Sequence, residues 1–338
     1  MNPVFSGFGV ALVGVAVFFA LSLPLPWLMG PIAACLLAAL VGIPMKGVKP
    51  INEGMRTILG VAAGASLTPT VLATFPSMWP TLLMVPAMIL CIGLTCVPYL
   101  QRVWGYDFAT AYYGSMPGGL QDMLVFGEEA GGNVRTLSLL HATRVMVIVV
   151  TLPFILSGLW GASLDDPPGV PARTVPLLEL GLMLFAAGFG WWGAHRIGMF
   201  GATILGPLIV AACLTLSGVL TNRPPAEVIW AAQFFIGMTI GTKYVGITLG
   251  EVRKDLTAAL GLCVILILLT LVFVETAYAL NLAPGMEAIL ALAPGGQAEL
   301  MVLALIVGAD TAFVVVHHVL RIFTVILGAP IAIRFFRQ

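Results

Sequence analysis

Two short helix-breaking segments interrupt an otherwise apolar chain at matching places. The first is Met116-Pro117-Gly118-Gly119-Leu120-Gln121-Asp122. The second is Ala293-Pro294-Gly295-Gly296-Gln297-Ala298-Glu299, 177 residues further on. At that spacing Gly131 matches Gly308, Asn133 matches Asp310, His141 matches His318, Arg144 matches Arg321 and Pro153 matches Pro330. Upstream, Gly60-x-x-x-Gly64 returns as Gly237-x-x-x-Gly241, and the Gly-Pro turn at Gly30-Pro31 returns at Gly206-Pro207, now 176 residues on. Self-similarity on this scale means duplication of a whole unit, not a solenoid period. Duplicated halves are common in secondary transporters.

The medium follows from composition. Of 338 residues, 60% are hydrophobic and 9% charged, against about 25% charged in globular domains. Too little polar surface exists to solvate a globule, so bilayer hydrocarbon must surround most side chains. The 15 basic and 15 acidic residues balance, and no basic stripe points to nucleic acid. Cys35, Cys91, Cys96, Cys213 and Cys263 all lie in apolar runs without a Cys-x-x-Cys pair. They read as small hydrophobes, not as metal ligands or a disulfide framework. The run from Phe5 to Leu23 has no basic leader or small-residue cleavage pattern, so it reads as a retained span.

The apolar pattern predicts an all-α integral membrane protein of two homologous halves. The first repeat covers 1–157 and the second 177–338, joined by a Pro- and Asp-rich linker over 158–176. Spans are expected near 5–23, 27–43, 56–73, 78–100 and 135–157, then 177–194, 200–219, 228–249, 256–280 and 311–333. The span at 56–73 is rich in small residues and is the easiest to break. Each half adds its Pro-Gly-Gly segment, as a re-entrant or broken helix. If each segment enters and returns on one side, ten basic residues gather on one face (Lys46, Lys49, Arg56, Arg102, Arg135, Arg196, Arg253, Lys254, Arg334, Arg337). Only Arg173 and Arg223 fall on the other. Full crossing gives eight against four. The charge bias of membrane proteins therefore favours an inverted five-plus-five arrangement with both termini cytoplasmic.

The candidate site follows from the breaks. Proline lacks an amide hydrogen and glycine weakens a helix, so the backbone opens at Pro117, Gly118 and Gly119 and again at Pro294, Gly295 and Gly296. In hydrocarbon an open backbone persists only where protein or a wet cavity satisfies it, and the following half-helix presents amide N–H groups to anions. A plain proline kink is the bland reading, and recurrence in register weighs against it. Asp122 and Glu299 each follow the second glycine by three residues. They can bind a coupling cation, carry a proton, or simply cap the half-helix. Asp310, like its counterpart Asn133, can equally mark a helix start. His141 and Arg144 share a helix face, as do His318 and Arg321, with His317 a second imidazole. They read either as a cationic lining for an anionic solute or as clamps, for instance Arg144 on Asp122. Lys243 has Ser66 as its counterpart. It reads as a cavity cation or as a side chain snorkelling to the surface. The Gly-x-x-x-Gly pairs read as close helix contacts.

No Walker loop, His-Glu-x-x-His or Gly-x-Ser-x-Gly elbow is present. No catalytic residue, metal ligand or cofactor is assigned. The expected partners are a small solute, a coupling ion and lipid, without nucleic acid; self-association is left open. The paired boxes, the Gly-Pro segments and the nearly full-length repeat resemble the AbrB-type duplicated membrane proteins, whose members are labelled ammonia monooxygenases or regulators of gene expression. The resemblance implies a bacterial inner-membrane protein and carries over no site roles. The box acid differs, Asp122 in the first and Glu299 in the second. A monooxygenase needs metal ligands or a cofactor motif, and regulation here can act only indirectly, because no soluble DNA-binding module is visible. The expected function is secondary transport of a small anionic solute coupled to protons or sodium. The alternative is a ligand-binding membrane sensor, and a membrane enzyme ranks third.

Overall fold

The structure is a computed structural model. It describes every residue except Met1, Pro24, 70–72, Thr74, Gly119, Asp165, Asp166, Phe200, 247–248 and 337–338. For 120–122, 125, 249–252, 326–327 and 329–336 it describes the backbone alone.

Most of the described residues are helical. The α-helices are α1 Pro3–Ala20, α2 Pro26–Leu40, α3 Lys49–Gly64, α4 Trp79–Pro98, α5 Phe108–Ser115, α6 Leu120–Glu129 and α7 Val134–Trp160. The second half gives α8 Leu177–Arg196, α9 Ala202–Leu216, α10 Ala226–Thr242, α11 Leu249–Ala279, α12 Gly285–Leu292, α13 Gln297–Ile306 and α14 Thr311–Phe336. Among the described residues five stretches are long and apolar enough to cross a membrane: Pro3–Ala20, Trp79–Val103, Val134–Trp160, Leu177–Arg196 and Arg253–Ala279.

Local chemistry sets the ends. Asn2 caps α1 by accepting from Val4 N at 3.0 Å. Proline sits in the first turn of α1 to α4, where its missing N–H costs nothing. Gly42 (φ +83°) and Gly218 (φ +75°) end α2 and α9 in the left-handed conformation that side chains disfavour. The helices at four expected spans are short: α2 has 15 residues, α3 16, α9 15 and α10 17. The span expected at 56–73 differs most, because the helix starts at Lys49 and stops at Gly64. The Gly-Pro pairs are not turns. Pro31 and Pro207 lie inside α2 and α9.

The chain packs as two units. One contains Met1–Phe75, Pro153–Ile247 and Met301–Ala312; the other contains Pro76–Leu152, Thr248–Leu300 and Phe313–Gln338. Each draws on both sequence halves.

In the first unit α1 packs on α2, α2 on α10, α3 on α9 and α8 on α9. Glycine sets these approaches. A methyl group on Gly60 or Gly64 of α3 would strike the carbonyl oxygens of Ile204 and Leu208 on α9. On Gly237 or Gly241 of α10 it would strike those of Leu28 and Ile32 on α2. Gly14 meets Gly30, and Gly190 meets Gly206, backbone to backbone. Lipid supplies no hydrophobic drive between helices, so such close contact is what holds them. The Gly-x-x-x-Gly pairs are packing surfaces.

In the second unit α4 packs on α5 and α11, α11 on α12, and α5 on α6. Asp255 of α11 accepts from Tyr106 Oη at 2.6 Å and Thr136 Oγ1 at 3.0 Å. This ties the loop before α5 and the start of α7 to one carboxylate. Burial, and then that hydrogen bond, push the Tyr106 phenol well above its ordinary pKa.

Candidate ligand site

Both Pro-Gly-Gly boxes lie in the second unit. Helix α5 ends at Ser115 and α6 begins at Leu120; α12 ends at Leu292 and α13 begins at Gln297. A short helix leaves its last carbonyls without intrahelical donors. Side chains of α7 and α14 supply them. His141 Nε2 lies 2.9 Å from the Tyr113 carbonyl, and Arg144 Nη1 donates to the Met116 carbonyl at 2.9 Å. In the second half His318 Nε2 meets the Leu290 carbonyl at 3.0 Å. Arg321 donates from Nη1 to Ala293 O at 2.6 Å and from Nη2 to Gly295 O at 3.0 Å. Positive groups at helix C-termini also suit the dipole.

The His and Arg pairs therefore clamp carbonyl oxygens at the helix ends. Arg321 has no ion pair among the described residues, where the pair found is Lys49–Glu53. The expected Arg144–Asp122 contact lies outside them, as do the Asp122 side chain and Gly119. Pro117 and Pro294 sit buried in the gaps between half-helices.

Glu299 occupies the third position of α13. Its Oε2 lies where a methyl group on Gly296 would be, and Gly296 O receives the first helical bond of α13, from Leu300 N at 3.0 Å. A carboxylate folded back over the residue that precedes the helix has the placement of a capping-box acid. Gly118 faces Met123 instead. Asp310 and Asn133 both begin helices: Asp310 Oδ1 accepts from Ala312 N at 2.9 Å, and Asn133 Oδ1 from Arg135 N at 3.1 Å and Thr136 N at 3.2 Å. Asp310 and Lys243 belong to the first unit, apart from the box residues in the chain's division. Lys243 is the C-cap residue of α10.

What the clamps leave over defines the chemistry. Arg144 is 1% exposed and Arg321 2%. Each is buried without a carboxylate among the described residues, and the two are close enough to repel each other. Nε of Arg144, Nε of Arg321 and Nε2 of Gln297 are buried without an acceptor. All three are donors. An unpaired buried donor costs about 1–3 kcal/mol, and more when charged. Two of the three belong to guanidiniums, and a guanidinium with a donor to spare is a group that an anion can complete. Gln297 was visible in the box sequence, but nothing in its spacing marked its amide as unpaired.

Among the described residues the helices define an all-helical protein with several membrane-length apolar segments. Residues 27–337 match the family model described as transition state regulatory protein AbrB. The chain belongs to the AbrB family. It is 24% identical over 356 residues to a Bacillus subtilis (strain 168) protein named "Uncharacterized protein YhjN", covering 96% of this chain and 88% of that one. It is 26% identical over 332 residues to the Escherichia coli (strain K12) protein named "Putative regulator AbrB", covering 94% and 92%.

Proposed function

We propose that the protein is a secondary transporter of a small anionic solute, held where the two helix breaks meet α7 and α14. The supporting observation is the pair of buried, mutually repelling guanidiniums with donor atoms left over. A buried charge is stable only with a partner, and an exchangeable anion is a partner that can leave. The inverted five-plus-five arrangement, with the Pro-Gly-Gly segments re-entrant and both termini cytoplasmic in a bacterial inner membrane, rests on the charge bias of the loops. In this reading protons or sodium supply the driving force, and the box acids Asp122 and Glu299 carry the coupling ion.

The regulator names of the family and of the Escherichia coli relative support a second reading, a membrane sensor that binds the same anion without moving it. Reconstituted Asp122→Asn and Glu299→Gln proteins separate the two. A transporter loses gradient-driven flux in these variants while remaining folded. Anion binding by the wild-type protein without flux under any gradient supports the sensor and contradicts transport.

A further inference from the structure

His317 stands one residue before the clamp histidine and has Leu140 as its counterpart in the first half. Its ring is fully buried, with a polar contact at each nitrogen. Nδ1 lies 2.7 Å from the Phe313 carbonyl, and Nε2 lies 2.9 Å from Oγ1 of Thr81. Thr81 Oγ1 in turn lies 2.8 Å from the Met78 carbonyl.

Counting hydrogens makes this arrangement informative. A carbonyl has no proton to give, so Nδ1 must carry one. A threonine hydroxyl has a single hydrogen for two neighbours. If that hydrogen points to the Met78 carbonyl, Nε2 must supply its own. The ring is then an imidazolium, and all three contacts are hydrogen bonds. If the hydrogen turns to Nε2, the ring is neutral and the Thr81–Met78 bond is given up. One hydroxyl rotation connects the two states, with no heavy atom moved. Met78 O stays satisfied in either, because Leu82 N also donates to it at 3.0 Å.

His318 makes the contrast. Its Nε2 donates to Leu290 O, and its buried Nδ1 has no partner. A second proton there would lack an acceptor, so His318 is fixed as a neutral clamp. The surroundings of His317 tolerate a passing charge better. The Phe313 ring lies 4.1 Å away, centroid to centroid, within cation–π range. Helix α4, which brings Thr81, carries no Asp, Glu, Lys, Arg or His, and its Cys91 and Cys96 lie far along it. The titratable and charged groups on its own helix are His318, on which both His317 and Arg321 act, and Arg321 itself, one helical turn on.

We propose that His317, with Thr81 and the Met78 carbonyl, is a proton-binding site that loads and releases one proton per chain. This rests on the transport reading and names its coupling ion as the proton. The step is a protonation alone. The proton enters on Nε2 and leaves from it, and no bond between heavy atoms changes.

The test is 15N solid-state NMR of the full-length, histidine-labelled protein in lipid bilayers, with the His317 signal assigned by its loss in His317→Gln. As the pH falls from about 8 to about 4, the doubly protonated form of His317 appears. In Thr81→Val the doubly protonated fraction at the lower pH falls by about tenfold, since a hydrogen bond to a charged group is lost. Thr81→Ser restores it. A wild-type His317 that keeps one neutral tautomer throughout overturns the proposal, with no variant needed. In proteoliposomes, His317→Gln loses the acceleration of solute flux by a proton gradient, and retention of that acceleration overturns the coupling role. Absence of flux in the wild-type protein counts against the transport reading alone, and the NMR titration still decides the proton site.

Discussion

Arginine is the residue on which the site depends. A guanidinium presents a planar fork of donors that stays charged, so burying two of them near each other requires acceptors. Helix-end carbonyls supply some, and Nε of each remains without one. The sequence showed where these arginines would be, because the duplicated spacing pairs Arg144 with Arg321 and sets each next to a box. It did not show what they touch. An acid three residues after the second glycine suggests an ion pair, yet Glu299 folds back over Gly296, and Arg321 takes main-chain oxygens. That arrangement makes a residue-scale prediction. Gly296→Ala puts a methyl group where the Glu299 carboxylate lies and displaces it, at a cost of about 1 kcal/mol, the scale of losing a helix cap. In a Glu299→Ala background the obstacle is gone. Thermal unfolding of the four proteins is expected to give a coupling of at least about 0.5 kcal/mol, as for residues in contact. Equal costs in the two backgrounds would show that the carboxylate does not occupy that place.

Among the elements, the helices of the first unit were partly legible. Periodic glycine at Gly60, Gly64, Gly237 and Gly241 announced close packing, and the Gly-Pro segments were seen to recur. Their partnership was not legible: α3 of one half receives α9 of the other, and α10 receives α2. Local sequence carries no record of a partner so far along the chain. For the same reason Thr81, 236 residues from His317, passed unnoticed as an ordinary threonine of an apolar span. The Gly-Pro pairs were read as turns because proline usually ends a helix. Here both prolines lie inside a helix, and the glycine before each lets another backbone approach. Glycine substitutions separate packing from propensity. Gly237→Ala forces a methyl group onto the Leu28 carbonyl and is expected to cost about 1–3 kcal/mol, as overpacking does. Gly188→Ala in α8 meets nothing within 4 Å and is expected to be neutral or slightly stabilising, by up to about 1 kcal/mol. Unfolding midpoints in one detergent compare them, and similar values would remove the close-contact account of the first unit.

For the whole molecule, composition alone placed the chain in lipid, and the structure adds five membrane-length apolar helices and two packed units that each combine both halves. The shortness of α2 and α9 was hidden, because the apolar runs continue beyond the glycine caps that stop them, and α3 and α10 end without such a cap. Box, clamp and proton site all fall within the second unit. An anion bound there stabilises the folded protein by mass action, about 2.7 kcal/mol at a hundred times its Kd. The measurement is the thermal unfolding of the purified full-length protein against a panel of small anions, with small amines as controls. The protein is expected to be stabilised by at least one anion and by no amine, and the shift is expected to vanish in Arg321→Lys, which keeps the charge and loses the fork. Stabilisation by amines with none by any anion would contradict the account.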